Sequence, residues 1–317
     1  MIRVIIILLS SIAFIAQSKP LTLTKTANEE QYVFNYEWLD QKDKKQTLSF
    51  ALDRKGLNGS YRHFKALRPS LLKMHGTRQL KLAISKLDPK KGRVQLIPRH
   101  SNIDFKISSK DPEWANQTAF ELQTVYEDTL NKVLKDNYYT EFPGFYNNSG
   151  ARFFRPDHRR FAEESLDSLT PVVEAIQVKM PNAGARQVAN YLLSWIQSIP
   201  YNTMESRIES NGAGFLPPLK VLDRNQGDCD SKVTLMAAIM KRMFPNLRMA
   251  IIYIPKHAVL GLNISHLQQD YRVTIDGLDY TIAEPVGPAL MPLAEAADSS
   301  KRYLESGSYQ YELLFDL

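Results

Sequence analysis

The chain has 317 residues, of which 44% are hydrophobic and 23% charged, and a net charge of +6. Those proportions exclude a disordered or collagen-like chain, and the length allows two domains. No fixed-period repeat or low-complexity block interrupts the sequence, and Cys229 is its single cysteine.

The first residues, MIRVIIILLSSIAFIAQSKP, place Arg3 before an uncharged, mostly apolar run of 13 residues from Val4 to Ala16. A bilayer span needs about 20 such residues. The small residues Ala16 and Ser18 complete the pattern of a secretory signal peptide over residues 1–18, cleaved after Ser18. An uncleaved anchor is the alternative. No cysteine lies near Ala16, which excludes a lipoprotein anchor, and no second apolar segment approaches 18 residues. The mature protein is therefore expected to be periplasmic or secreted.

Residues 19–110 read as a basic, β-rich N-terminal domain. QYVFNYEWL (Gln31 to Leu39) and QTLSFAL (Gln46 to Leu52) flank the polar turn DQKDKK and predict a hairpin. GRVQLIP and NIDFKIS predict a second pair. Between the pairs, Arg62 to Leu87 is expected to be helical in part, with breaks at Pro69 and Gly76. Arg54 to Arg99 carries thirteen Lys and Arg against Asp88 alone, a local charge of +12. Such a stretch is either a solvated face or a docking face for an anionic surface. Outside the cytoplasm that surface is acidic lipid, lipopolysaccharide, acidic glycan or an acidic protein; export argues against nucleic acid.

Residues 111–150 read as a helical connector. DPEW places a capping Asp111 before Pro112, and Phe120, Leu122, Val125, Tyr126, Leu130 and Val133 form a rough apolar stripe. The aromatic, turn-rich YYTEFPGFYNNSGARFFRP is expected to be a loop at a domain junction. Residues 151–317 form the second domain. Val188, Leu192, Trp195, Ile196 and Ile199 mark one face of a helix that stops at Pro200, and a loop is expected from Asn202 to about Leu219. Val233 to Met243 reads as a buried helix in which Met236, Met240 and Met243 are core residues. RMAIIYI and HAVLGLNI follow as strands. YRVTI-DG-LDYTIAEP is a hairpin with Asp276-Gly277 as a type I′ turn signal. The fold class is α+β, with a helix packed on an antiparallel sheet.

Cys229 sits in NQGDCDSKVTLMAAIMKRM. One cysteine in an exported chain has no disulfide partner, so it is buried, paired between chains or reactive. Gly227 suits a tight turn and Asp228 or Asp230 can cap a helix start. That arrangement puts Cys229 in a first helical turn, where unpaired N–H groups favour a thiolate. The flanking aspartates oppose this if they lie close. A cysteine nucleophile also needs an imidazole and a group to orient the ring. Among His63, His75, His100, His158, His257 and His266, the strand-opening His257 is the best-placed partner and His266 the second. Glu284, just past the apolar strand YTIA, is the candidate acid.

The order WIQSIPYN, loop, GDCDSKVTLMAAIM, strand, KHAVLGLNI, hairpin, YTIAEPVGPAL resembles the transglutaminase-like superfamily over roughly Ala185 to Leu290. The resemblance implies a broadly papain-like fold and a Cys–His–acid triad of Cys229, His257 and Glu284. Two departures are a Glu where many members have Asp, and Ala258 where an aromatic is common. The Cys229 backbone N–H is a natural oxyanion donor, with Tyr201 or Gln226 as the second. The function expected is an exported amide hydrolase, a protease or deamidase, acting on protein or peptide through an acyl-enzyme. Amine crosslinking, or a non-catalytic envelope-binding module, is the alternative. No HExxH, paired-cysteine spacing or Gly-rich phosphate loop is present, so neither metal nor cofactor is expected.

The leader reading predicts a mature chain that starts at Lys19, read by mass spectrometry of the exported protein. A chain that retains Met1 in the membrane fraction would make the segment an anchor.

Overall fold

A computed structural model describes residues 21–98, 103–142, 152–206 and 210–315. The expected signal segment, His100 and residues 143–151 of the aromatic junction lie outside them. The protein is α+β, and its four described sheets are antiparallel.

Strands β1 (Thr22–Ala27), β2 (Gln31–Leu39) and β3 (Lys45–Asp53) form a meander. Phe34, Tyr36 and Trp38 alternate onto one face of β2, opposite Leu48 and Phe50 of β3. That face has the period-2 pattern of a half-buried sheet. It packs on helix α6 (Ala185–Ser198), with the Tyr36 ring edge-on to Trp195 at 5.2 Å. The indole N–H of Trp38 donates to Ser194 Oγ at 2.9 Å. The stretch read as an N-terminal domain is thus shared between two cores. The β1–β3 meander joins the large core built around α6.

A second core holds helix α2 (Pro69–Ile84), β5 (Ile103–Ser109) and helix α3 (Pro112–Asp136). Strand β4 (Gly92–Pro98) pairs with β5 as expected. A short helix α1 (Arg54–Gly59) precedes them. The expected breaks in α2 are absent. Pro69 opens the helix, where its missing N–H costs nothing. Gly76 lies against α3, where an added Cβ would stand 2.6 Å from Tyr126 Cε2. The α3 start is as read: Asp111 Oδ1 accepts from the Trp114 N–H at 3.1 Å. Leu122, Tyr126, Leu130 and Val133 face the core, whereas Phe120 is 70% exposed. At 3.6 residues per turn, Phe120 falls on the side opposite Leu122.

Within the aromatic junction, β6 (Tyr139–Phe142) and β7 (Phe153–Pro156) pair rather than loop freely. Helices α4 (His158–Ser165) and α5 (Thr170–Lys179) lead to α6. The stretch read as a loop to Leu219 already contains the start of α7 (Pro218–Arg224). Helix α8 (Cys229–Met243) follows, with Met236 and Met240 fully buried and Met243 partly so.

Strands β8 (Met249–Ile254), β9 (His257–Leu262), β10 (Arg272–Ile275), β11 (Leu278–Ala283) and β12 (Gln310–Leu314) form one sheet in the order β10-β11-β9-β8-β12. Asp276 and Gly277 both have positive φ, at 48° and 78°, as a type I′ turn requires. Along β8, Met249, Ile251 and Tyr253 belong to the core of α8. Ala250, Ile252 and Ile254 belong to a third core, which Leu304 of helix α9 (Asp298–Glu305) helps close. The sheet is therefore covered on both faces. No described helix is long and apolar enough to cross a membrane.

Gly76→Ala separates helix propensity from packing. Propensity alone would stabilise α2 by about 1 kcal/mol. The contact with Tyr126 predicts the opposite sign, a loss of about 1–3 kcal/mol from overpacking, read as a lower midpoint in chemical denaturation.

Candidate active site

Helix α7 ends at Asn225, whose φ of 50° and ψ of 45° turn the chain through the left-handed region. The Gly227 N–H donates to the Pro200 carbonyl at 3.3 Å, and the Gly227 carbonyl accepts from the Asn202 N–H at 3.2 Å. This short parallel bridge ties the α8 start to the end of α6. A Cβ on Gly227 would press Ser231, Lys232 and Val221 at 3.3–3.5 Å. Asp228 then caps α8: its Oδ1 accepts from the Ser231 N–H at 3.0 Å and from the Ser231 hydroxyl. Cys229 is consequently the first residue of the helix, half-buried.

His257 opens β9, and its Nε2 lies 2.8 Å from Glu284 Oε1. Glu284 follows β11 and is 4% exposed. Its Oε2 accepts from the Ala297 N–H at 2.9 Å and its Oε1 from the Ser300 hydroxyl at 3.2 Å. Burial by itself raises the carboxyl. The hydrogen bonds from His257 and Ala297, the His257 charge and the Ser300 hydroxyl outweigh it and hold the group below its ordinary value. An ionised Glu284 that accepts three bonds fixes the proton of His257 on Nε2. Nδ1 is then the ring nitrogen that can take a proton. The Glu284 backbone is clamped as well: Gln197 Nε2 donates to the carbonyls of Glu284 and Met291 at 2.8 and 2.9 Å. Nearby, a Cβ on Gly287 would stand 2.0 Å from the Gln197 carbonyl.

The link between Cys229 and the His257 strand runs through Ala258, the residue after His257 on β9. The Ala258 N–H lies close enough to Sγ to favour its thiolate. The sulfur makes its own side-chain bond with Asp230 Oδ1, at 3.5 Å, and not with the imidazole. The thiol is not lowered as its helix position suggests. Burial raises it, an ionised Asp230 or Asp228 beside it raises it further, and the Ala258 N–H opposes them. Burial, before any charge, outweighs the helix terminus.

The other expected residues divide cleanly. Tyr201 is 48% exposed and is bridged to Gly227, two residues before the sulfur; burial and then the Cys229 charge raise its phenol. Gln226 turns its carbonyl to the Asn202 amide at 3.3 Å. His266 lies 4.0 Å from Asp279 on the hairpin, so it does not join the cysteine. His63 is exposed, and His75 is half-exposed in α2.

Sequence reasoning missed one buried polar group, Lys232, and passed over another, His158. Lys232 is fully buried in α8 and donates Nζ to the Ile199 carbonyl. Burial pushes its amine down to about 7, against the pull of Asp228 and Cys229. A lysine three residues past the cysteine, before an apolar run, was the available signal. His158, also fully buried, sits 3.8 Å by Nε2 from Asp230 Oδ2. Seventy residues separate it from the cysteine, and no spacing rule connects them.

The arrangement supplies a sulfur at a helix start, a carboxylate-oriented imidazole and a backbone N–H close to the sulfur. These are the parts of nucleophilic acyl transfer. Comparison of the chain with family models, with curated proteins and with solved structures finds no match.

Proposed function

We propose that the protein is an exported cysteine-dependent amide hydrolase of the transglutaminase-like type. The observation that carries this reading is the 2.8 Å pair between His257 and a buried Glu284, set beside a cysteine at the first position of α8. The sulfur attacks an amide carbonyl and passes its proton to His257 Nδ1. The tetrahedral oxyanion is met by the Cys229 N–H, with Tyr201 favoured over Gln226 as second donor because it is bridged to Gly227 and partly exposed, whereas Gln226 faces Asn202. His257 then protonates the leaving amine, and water releases the acyl-enzyme. An amine in place of water would give crosslinking.

The partner reading rests on α2. Its outer face presents Met74 and Leu82, 57% and 48% exposed, among Lys73, Arg78 and Lys81. No acidic residue lies between Asp53 and Asp88. This combination suits an anionic lipid surface, with apolar side chains entering and cations at the headgroups. A protein that docks there without catalysis is the second reading.

Cys229→Ser abolishes hydrolysis of peptide amides. His257→Ala lowers turnover by roughly 10²–10⁴-fold and slows alkylation of Cys229 by a mild electrophile. Glu284→Gln lowers kcat far more than it changes KM. Identical alkylation-versus-pH curves for the wild type and His257→Ala would sink the pairing.

Vesicles of acidic phospholipid bind the protein at low salt and release it by physiological ionic strength, where the Debye length is about 8 Å. Arg78→Glu with Lys81→Glu removes the binding, measured by co-sedimentation, and leaves Cys229 alkylation unchanged.

A further inference from the structure

The interior beside Cys229 holds a chain of polar groups that the triad does not use. Arg155 Nη2 lies 2.9 Å from Glu312 Oε2, and the Tyr253 hydroxyl lies 3.2 Å from the same oxygen. The hydroxyl is also 2.9 Å from His158 Nδ1. At the far side of that ring, Nε2 has no hydrogen-bond partner, is buried, and points to Asp230 Oδ2 at 3.8 Å. Asp230 Oδ1 in turn touches the sulfur.

The proton positions follow from donor and acceptor capacity. Glu312 faces a guanidinium, so it is a carboxylate that only accepts. Tyr253 has one proton, and the carboxylate takes it. The phenol oxygen must then accept from His158, which places that ring's proton on Nδ1. Nε2 is left as a bare lone pair in a buried site, opposite a carboxyl oxygen. A bare lone pair buried on Nε2 is unfavourable beside another acceptor, and Asp230, whose side chain is 33% exposed, is the group that faces it. One proton between them, with an approach closer by about 1 Å, makes a normal hydrogen bond.

We infer that Asp230 holds that proton: it is a neutral carboxylic acid that donates to His158 Nε2, and the two residues form a positioning pair for the nucleophile. This rests on the reading of Cys229 as the reactive group. Burial pushes the neighbouring Asp228 up to about 7, but it accepts twice from Ser231 at the helix start, which favours its anion over that of Asp230. Two carboxyls one residue apart are thus driven to different states by their surroundings. Burial favours the neutral form of Asp230; the bond from the Cys229 thiol, and after it the charges of Arg155 and His257, work against it. Tyr201 and Lys232 complete the titratable groups around the sulfur. With Asp230 neutral, the sulfur next to it transfers its proton to His257 Nδ1 without meeting a second negative charge.

The test reads the thiol and the ring, and neither readout needs turnover. In Asp230→Asn the amide keeps one donor for Nε2 and one acceptor for the thiol. The pH profile of Cys229 alkylation should therefore stay where the wild type has it. An ionised Asp230 would instead give a shift to lower pH, a tenfold or greater gain in alkylation rate on the acid side. Nitrogen NMR of the wild type near neutral pH should show His158 protonated on Nδ1 alone. The same tautomer should persist in Asp230→Asn, whose melting curve confirms that it folds. A doubly protonated ring, or a proton on Nε2, overturns the inference. If the profile and tautomer hold but no amide is cleaved, the pair stands and the hydrolase reading falls.

Discussion

Burying the Glu284 carboxylate is the constraint on which the surrounding structure depends. A charged group taken out of water is tolerated only if nearly all of its lone pairs are met. Three donors from separate parts of the chain meet them: an imidazole on β9, a backbone N–H just ahead of α9, and a hydroxyl inside α9. Each of those parts must therefore be placed to within a fraction of an ångström. Helix α6 holds the carboxylate's own backbone through Gln197. The β1–β3 meander fixes α6 through Trp38, Tyr36 and Trp195. A sheet more than 150 residues earlier in the chain thus braces the orientation of one imidazole.

The same logic separates the three acids of the site. Glu284 is ionised because donors converge on it. Asp228 is satisfied by a helix start and Ser231. Asp230 accepts one long bond from the thiol and faces a bare ring nitrogen that offers an anion nothing. The site holds two histidines in matching roles, each with its tautomer set by a group on its far side: Glu284 for His257, and the Tyr253 phenol for His158. The thiol lies where the two systems approach each other.

The α+β class, the β2–β3 hairpin, the hairpin at Asp276-Gly277 and the placing of Cys229 at a helix start were legible because each rests on local chemistry. Alternation, a turn dipeptide and a capping aspartate act over a few residues. Where the reading and the structure part, a contact distant in sequence decides. Gly76 does not break α2 because Tyr126 fills the space. Phe120 leaves the apolar stripe because the face is set by what α3 packs on. The start of α7 was hidden by Pro217 and Pro218, since two prolines read as loop although one can open a helix. His257 and Glu284 were found through the order of strands. His158 could not be, because its role arises only when α4 is laid against β8 and α8.

Strand β12 is an edge strand, bonded to β8 on one side only. Edge elements open locally at lower free energy than the centre of a sheet. Yet β12 carries Glu312, the group that fixes the Tyr253 proton and, through it, the state of His158. When β12 frays, the phenol loses its acceptor and can turn its proton to Nδ1, which allows the ring to reverse its tautomer. The protonation state beside the nucleophile is thus tied to the breathing of a peripheral strand, and a contact that pins or peels that strand would be felt at the sulfur without touching it.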